Sequence, residues 1–165
     1  MSLRAMPLST ARHRSCMIPR LMEQQRHATA ESIRSIFAAF EGSEAEVLAL
    51  LAELYHPDIE FLDPIQEVRG RDAFIEANRR LIRRAQKLRF VVHDVVESGD
   101  RIVATWRFSL LTRMGFEFQA EAMSCMTLRD GLIIHHRDYW DPAGAVLVKI
   151  PGIRTLYRKL LDALA

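Results

Sequence analysis

"HHRDYWDP", residues 135–142, follows a tight "RDG" turn (129–131) and the apolar run "LII" (132–134). Strand side chains alternate, so a strand here puts Leu132, Ile134, His136, Asp138 and Trp140 on one face. Two aliphatic side chains and a tryptophan mark that face as the buried one. A histidine and a carboxylate on a buried face are either hydrogen-bonded core polars or the lining of a pocket that does chemistry.

Upstream lie three more long strand patterns. Leu88 to Glu97 runs into "SGD", a hairpin signal. Arg101 to Thr112 follows, with Ile102, Ala104, Trp106, Phe108 and Leu110 on one face. "RMG" turns the chain again, and Phe116 to Leu128 leads into "RDG". Together with residues 132–141 these predict an antiparallel meander of four strands.

The first half reads mainly as helix. Residues 30–40, "AESIRSIFAAF", carry Ile33, Ile36, Phe37 and Phe40 at helical spacing, and Gly42 stands where helices stop. Ser43 with Glu46 three residues on predicts a capping box for a second helix running to Tyr55 before Pro57. "DIEFLDP" alternates as a strand from Ile59 to Leu62 or Asp63, and Glu67–Val68 suggests a short second strand. Arg71 to Ala85 reads as a third helix, with Phe74, Ile75, Asn78, Leu81 and Ile82 inward and Arg79, Arg80, Arg83 and Arg84 on a solvated face. Ile153 to Leu164 closes the sequence as an amphipathic helix expected to pack on the body. Helices early and strands late predict an α+β fold.

The chain has 165 residues, enough for one domain with a substantial core. A net charge of +2 does not by itself point to nucleic acid, and the apolar runs are far short of a membrane span. Cys16 and Cys125 show no metal-ligand spacing, which favours a reducing, cytoplasmic setting. The predicted organisation is an arginine-rich arm (1–27), a domain (28–142) and the closing amphipathic segment (143–165). A helix is expected near Pro19, and the start is left open among the four methionines of the arm.

The order of elements, with the words "LYHPDIEFLDP" (54–64), "GRDAF" (70–74) and "RDGLIIHHRDYWDP" (129–142), resembles the SnoaL-like branch of the nuclear transport factor 2-like superfamily. The resemblance covers about residues 30–142. It implies a cystatin-like cone, a curved antiparallel sheet wrapped around the N-terminal helices with an apolar central pocket, and a homodimer through the outer face of the sheet. It implies no bound cofactor and no metal. The ligand would be small, apolar or carbonyl-bearing.

The superfamily's enzymes differ in their pocket polars. The ketosteroid isomerases' aspartate base corresponds to Asp63 in "FLDP". Their oxyanion donors are not matched: the first helix offers Phe37 and Phe40, and the strand position falls near Ala122 or Ser124. The limonene epoxide hydrolases' closing "RDYFD" resembles "RDYWD" and places Asp138, but their Arg and Asp partners fall near Thr105 and Arg107. That alignment turns Thr105 and Arg107 inward, whereas the apolar pattern turns Trp106 and Phe108 inward. A one-residue slip would expose five apolar side chains, which favours the pattern. Polyketide cyclases of the SnoaL type use one pocket aspartate on the last strand, and Asp138 with His136 fits that description.

The residues leave competing readings. Asp138 is a general acid/base or the structural partner of Arg107 or His136. Asp63 is a second carboxylate or the cap of the turn before Pro64. His136 reads a ligand or is a satisfied core histidine. Tyr55, Phe61, Trp106, Phe118 and Trp140 are pocket wall or core. The expectation is a cofactor-free isomerase, cyclase, dehydratase or hydrolase with Asp138, His136 and Asp63 as its polar groups. The alternative is a non-catalytic binding or dimeric interaction module of the same fold.

Overall fold

The computed structural model describes residues 27–145 and 152–164. The arm up to residue 26, with the helix expected near Pro19, lies outside the described residues. Three helices and six strands form the body: α1 (Ala30–Ala39), α2 (Glu44–Leu54), β1 (Tyr55–Leu62), β2 (Glu67–Arg69), α3 (Arg71–Arg84), β3 (Ala85–Ser98), β4 (Arg101–Thr112), β5 (Glu117–Arg129) and β6 (Leu132–Trp140). A single turn of helix, α4 (Pro142–Ala145), and the longer α5 (Ile153–Leu164) follow.

The sheet order is β2-β1-β6-β5-β4-β3. The meander β3 to β6 is antiparallel, and β1 lies parallel to β6 on its far side. The connection between β1 and β6 is therefore the whole of β2, α3 and the meander. One concave face packs on α1, α2 and α3. Its core joins Ile33 and Ile36 of α1, Leu51 and Leu54 of α2, and Phe74 of α3 to Ile59, Ile102, Ala104, Met126 and Ile133 of the sheet. This is the expected α+β cone.

Local chemistry sets the ends. Thr29 caps α1 through a full capping box with Ser32. Ser43 caps α2 by accepting from the Glu46 backbone N–H at 3.1 Å, so the sequence pair supplies the backbone half of the expected box. The chain turns from α2 straight into β1 at Tyr55, four residues earlier than the alternation of Ile59 to Asp63 suggested. The reason is pairing: Tyr55 lies opposite Ile133 of β6, and an irregularity intervenes before Glu60 meets His135.

β6 carries a second departure from strict alternation. Leu128 pairs with Ile133 and Thr127 with His135, which leaves Ile134 as an extra residue. Ile133 and Ile134 are consequently both buried. Beyond this bulge His136, Asp138 and Trp140 face inward together. On β4, Ile102, Ala104 and Trp106 are buried, and Arg107 faces out to pair with Glu121 at 2.5 Å. The apolar pattern, and not the alternative register, describes this strand.

Two of the four arginines on the basic face of α3 are ion-paired: Arg79 with Glu76 and Glu44, and Arg83 with Glu44. The apolar stripe of α5 differs from expectation. Leu156 is 69% exposed, and Leu160 and Leu161 are also exposed, so these side chains do not pack on the body.

Candidate functional site

Between the helices and the concave face lies a cavity of about 350 Å³. Its wall is aromatic. Trp106 meets Phe37 at 5.3 Å, Phe90 at 5.4 Å and Phe108 at 5.8 Å between ring centroids, and Phe108 meets Trp140 edge-on. Phe61, Phe118 and Trp140 also line it. Phe37, Phe90 and Phe108 extend the wall. Their alternation or helical spacing marks them only as core.

At one end, five polar side chains from four strands form a single chain of hydrogen bonds. Tyr55 Oη lies 2.9 Å from His136 Nδ1, and His136 Nε2 lies 2.8 Å from Asp138 Oδ1. From the other side, Trp106 Nε1 donates to Ser124 Oγ at 2.9 Å, and Ser124 Oγ donates to the same Asp138 Oδ1 at 2.5 Å. Ser124 and His136 are the buried polar residues of the core, and the Asp138 side chain is 15% exposed.

The directions in this chain follow from donor inventories. An indole N–H can only donate, so the Ser124 hydroxyl accepts from Trp106 and spends its one proton on Asp138. Tyr55 is buried beside the Asp138 carboxylate, and both push its ionisation well above the usual phenol range. Its hydroxyl therefore stays protonated and donates to His136 Nδ1. That assigns the neutral imidazole its proton at Nε2, where it donates to Asp138.

Both ends of the chain thus deliver a donor to Oδ1. Among the described residues Oδ2 has no partner, and no buried side-chain nitrogen or oxygen lacks one. Oδ2 is accordingly the oxygen of Asp138 that is not enclosed, on a residue that lines the cavity. A proton on this carboxyl resides on Oδ2, since Oδ1 already accepts two hydrogen bonds. The arrangement can take a proton from a cavity-bound molecule, or return one, through a single oriented oxygen.

The sequence-derived residues divide accordingly. Asp138 and His136 come together with Tyr55, which sits behind His136 as a hydrogen-bond partner as well as on the wall. Asp63 lines the cavity mouth, apart from this chain. Its Oδ1 accepts from the backbone N–H groups of Ile65 and Gln66 at 2.7 and 2.9 Å, and its Oδ2 from Gln66 Nε2 at 2.8 Å. It caps the turn that follows β1. Ser124 was not singled out from the sequence as a pocket group. Its signal was a lone hydroxyl among the inward residues Ala122 and Met126 of β5. Among the described residues, no group of three or more histidine, cysteine, aspartate or glutamate side chains is placed to hold a metal ion. No described helix is long and apolar enough to cross a membrane.

Residues 26–136 match the model of the SnoaL-like domain family. No curated protein matches the chain. Solved structures do. A candidate SnoaL-like polyketide cyclase from a Jannaschia species is 22% identical, with a TM-score of 0.62 over 74% of this chain and 90% of that one. A protein of ketosteroid isomerase-like fold from Catenulispora acidiphila, solved with trimethylamine, is 16% identical, with a TM-score of 0.62 over 74% and 93%. Bal32a, from a soil-derived mobile gene cassette, is 21% identical, with a TM-score of 0.61 over 70% and 91%. At these identities the likeness to each is one of fold. The family match spans most of the chain, including β6 as far as His136, and the chain belongs to the SnoaL-like domain family.

Proposed function

We propose that the cavity is a cofactor-independent proton-transfer site for a small, mostly apolar molecule bearing a carbonyl or hydroxyl group. The observation that carries this reading is the asymmetric Asp138 carboxyl group, with two donors on Oδ1 and Oδ2 left open. Asp138 takes a proton from the ligand at Oδ2. It returns that proton to another atom of the same ligand in an isomerisation or cyclisation, or to a departing hydroxyl, released as water, in a dehydration. His136 orients the carboxylate and offsets its charge through Nε2–H, with its tautomer held by Tyr55. Trp106 and Trp140 hold the apolar body. Asp63 is spent on its turn and shapes the mouth.

The test needs no knowledge of the natural ligand. Bicyclic ketones and β-hydroxyketones are incubated with the protein in heavy water, and proton NMR follows deuterium uptake and loss of water. The expected result is acceleration of at least one probe by the wild type, reduced about 100-fold or more in Asp138→Asn. Equal acceleration by both proteins removes Asp138 from the chemistry.

A second reading, a non-catalytic binding module, is favoured by one observation. Tyr55, His136, Ser124 and Trp106 all commit their donors within the chain, so none of these four stands ready for a developing oxyanion. Binding of the same probes without exchange in any of them would select it. In either reading we propose a homodimer through the outer face of the sheet, where Val91, Met123 and Tyr139 are exposed. A cytoplasmic setting belongs to the same proposal and rests on the unpaired Cys125.

A further inference from the structure

Phe74, Ala77, Asn78 and Leu81 are the α3 side chains that line the cavity, and Asn78 is the polar one among them. Its Nδ2 donates to the Phe74 carbonyl, one helical turn back, at 2.9 Å. A carbonyl oxygen only accepts, so the nitrogen must face that way and the amide cannot be flipped. The bond also pins the side chain against its own helix. Among the described residues Oδ1 has no partner, and it lies half-buried between the apolar α3 residues Phe74, Ala77 and Leu81 of the lining. An acceptor left in such a place is costly unless water or a ligand donates to it.

The donors at the opposite end of the cavity are all committed to one another, as described above. The cavity wall presents the accepting oxygens Asp138 Oδ2 on β6 and Asn78 Oδ1 on α3, and the Asp63 and Gln66 side chains also line it. A hydroxyl can donate to the Asn78 oxygen and also accept from the second N–H of its amide, whereas an ether or a ketone can use only that N–H.

We propose that Asn78 is the specificity-determining residue of this cavity. Its Oδ1 accepts a hydrogen bond from a hydroxyl on an otherwise apolar ligand, while Asp138 Oδ2 meets the reacting atom. The preferred ligand is thus a hydroxylated apolar compound rather than a simple ketone or hydrocarbon. This rests on the cavity being the ligand site, as proposed above, but not on turnover.

Isothermal titration with 2-naphthol and 2-methoxynaphthalene separates the two claims. The ether has nearly the same body but no donor. Wild-type protein is expected to bind both, and to prefer the naphthol about tenfold, the worth of one hydrogen bond in an apolar site. In Asn78→Leu, close in volume, the preference should fall about fivefold while the ether binds as well as before or better. Ether binding also reports that the variant is folded, and Asn78→Ala serves if the leucine variant is not. An unchanged preference in variants that still bind the ether overturns the role of Asn78 and leaves the cavity reading standing. Failure of the wild type to bind either compound overturns the cavity reading and the proposal with it.

Discussion

Ser124 stands directly opposite Asp138 across the β5–β6 ladder, and its hydroxyl donates to the carboxylate at 2.5 Å. The contact couples a wall tryptophan to the carboxyl group, because the same hydroxyl accepts from Trp106 Nε1. An inward pair in an antiparallel ladder has little freedom to separate. The carboxylate is therefore oriented by backbone pairing on one side and by His136, two residues away on its own strand, on the other.

Ser124→Ala strips a donor from Asp138 and also leaves the buried Trp106 N–H without an acceptor. Two losses in one buried chain predict a destabilisation of about 2–4 kcal/mol, larger than one hydrogen bond is worth. Urea unfolding followed by tryptophan fluorescence measures it. A loss well under 1 kcal/mol would show that a water replaces the hydroxyl on both sides.

Tyr55 predicts an alkaline limit. Its ordinary pKa is 10.0, and burial and the Asp138 charge raise it in the folded state. Below the ordinary value both folded and unfolded chains hold the proton, and this group adds no pH dependence. Above it the unfolded chain releases the proton and the folded chain keeps it, so stability falls by about 1.4 kcal/mol per pH unit. Tyr55→Phe should lack that slope. It should also be less stable near neutral pH by about 1–3 kcal/mol, because His136 Nδ1 loses its donor. Denaturant melts of both proteins between pH 8 and pH 11 check both signs. Parallel curves would mean that Tyr55 ionises freely in the native state.

These predictions separate what the sequence could carry from what it could not. The inward sets Ile102–Ala104–Trp106 and His136–Asp138–Trp140 were legible because a period of two over a long strand leaves one apolar face. The partners were not. Tyr55 reads as the last residue of an apolar helix, and only the parallel pairing of β1 with β6 brings it to a histidine 81 residues away. Ser124 is a small polar residue on a strand until the register places it against Asp138. The bulge at Ile134 and the early start of β1 are products of pairing, which local alternation does not encode. The exposed leucines of α5 mark the opposite limit: an amphipathic pattern says that a face wants cover, not what covers it.

The β5–β6 turn that delivers Asp138 is also a test of backbone geometry. Asp130 and Gly131 both have positive φ, 52° and 80°. A Cβ on Gly131 would meet the His27 imidazole at 2.2 Å, and the Gly131 carbonyl accepts from Ala28 N–H at 2.8 Å. Gly131→Ala therefore combines left-handed strain with a clash that the exposed His27 side chain must move away from. A loss of about 1–3 kcal/mol is expected in thermal or denaturant melts, with greater protease sensitivity near residue 28.

The proposed dimer predicts a solution mass near twice the 19.0 kDa of the chain. Met123 and Tyr139 face each other across β5 and β6 on the outer side, and both are exposed. Met123→Lys places a charge beside Tyr139 on that face, and a charge buried unpaired in an interface costs several kcal/mol. Light scattering after size exclusion should find the mass halved in the variant, with the fold retained by circular dichroism. A wild-type mass of one chain at micromolar concentration would refute the dimer.

The cavity itself predicts an unusual tolerance. Ala77 lines it from α3, beside Asn78, and a larger side chain there projects into empty space rather than into packed neighbours. Overpacking a filled core costs about 1–3 kcal/mol, but filling a void recovers apolar contact instead. Ala77→Leu is therefore expected to keep or raise the melting temperature while weakening 2-methoxynaphthalene binding about tenfold or more, because the added methyl groups occupy the volume the probe needs. Calorimetry of unfolding and of binding on the same protein reads both. A clear loss of stability would mean that this wall closes up in solution and that the space between α3 and the sheet is not available to a ligand.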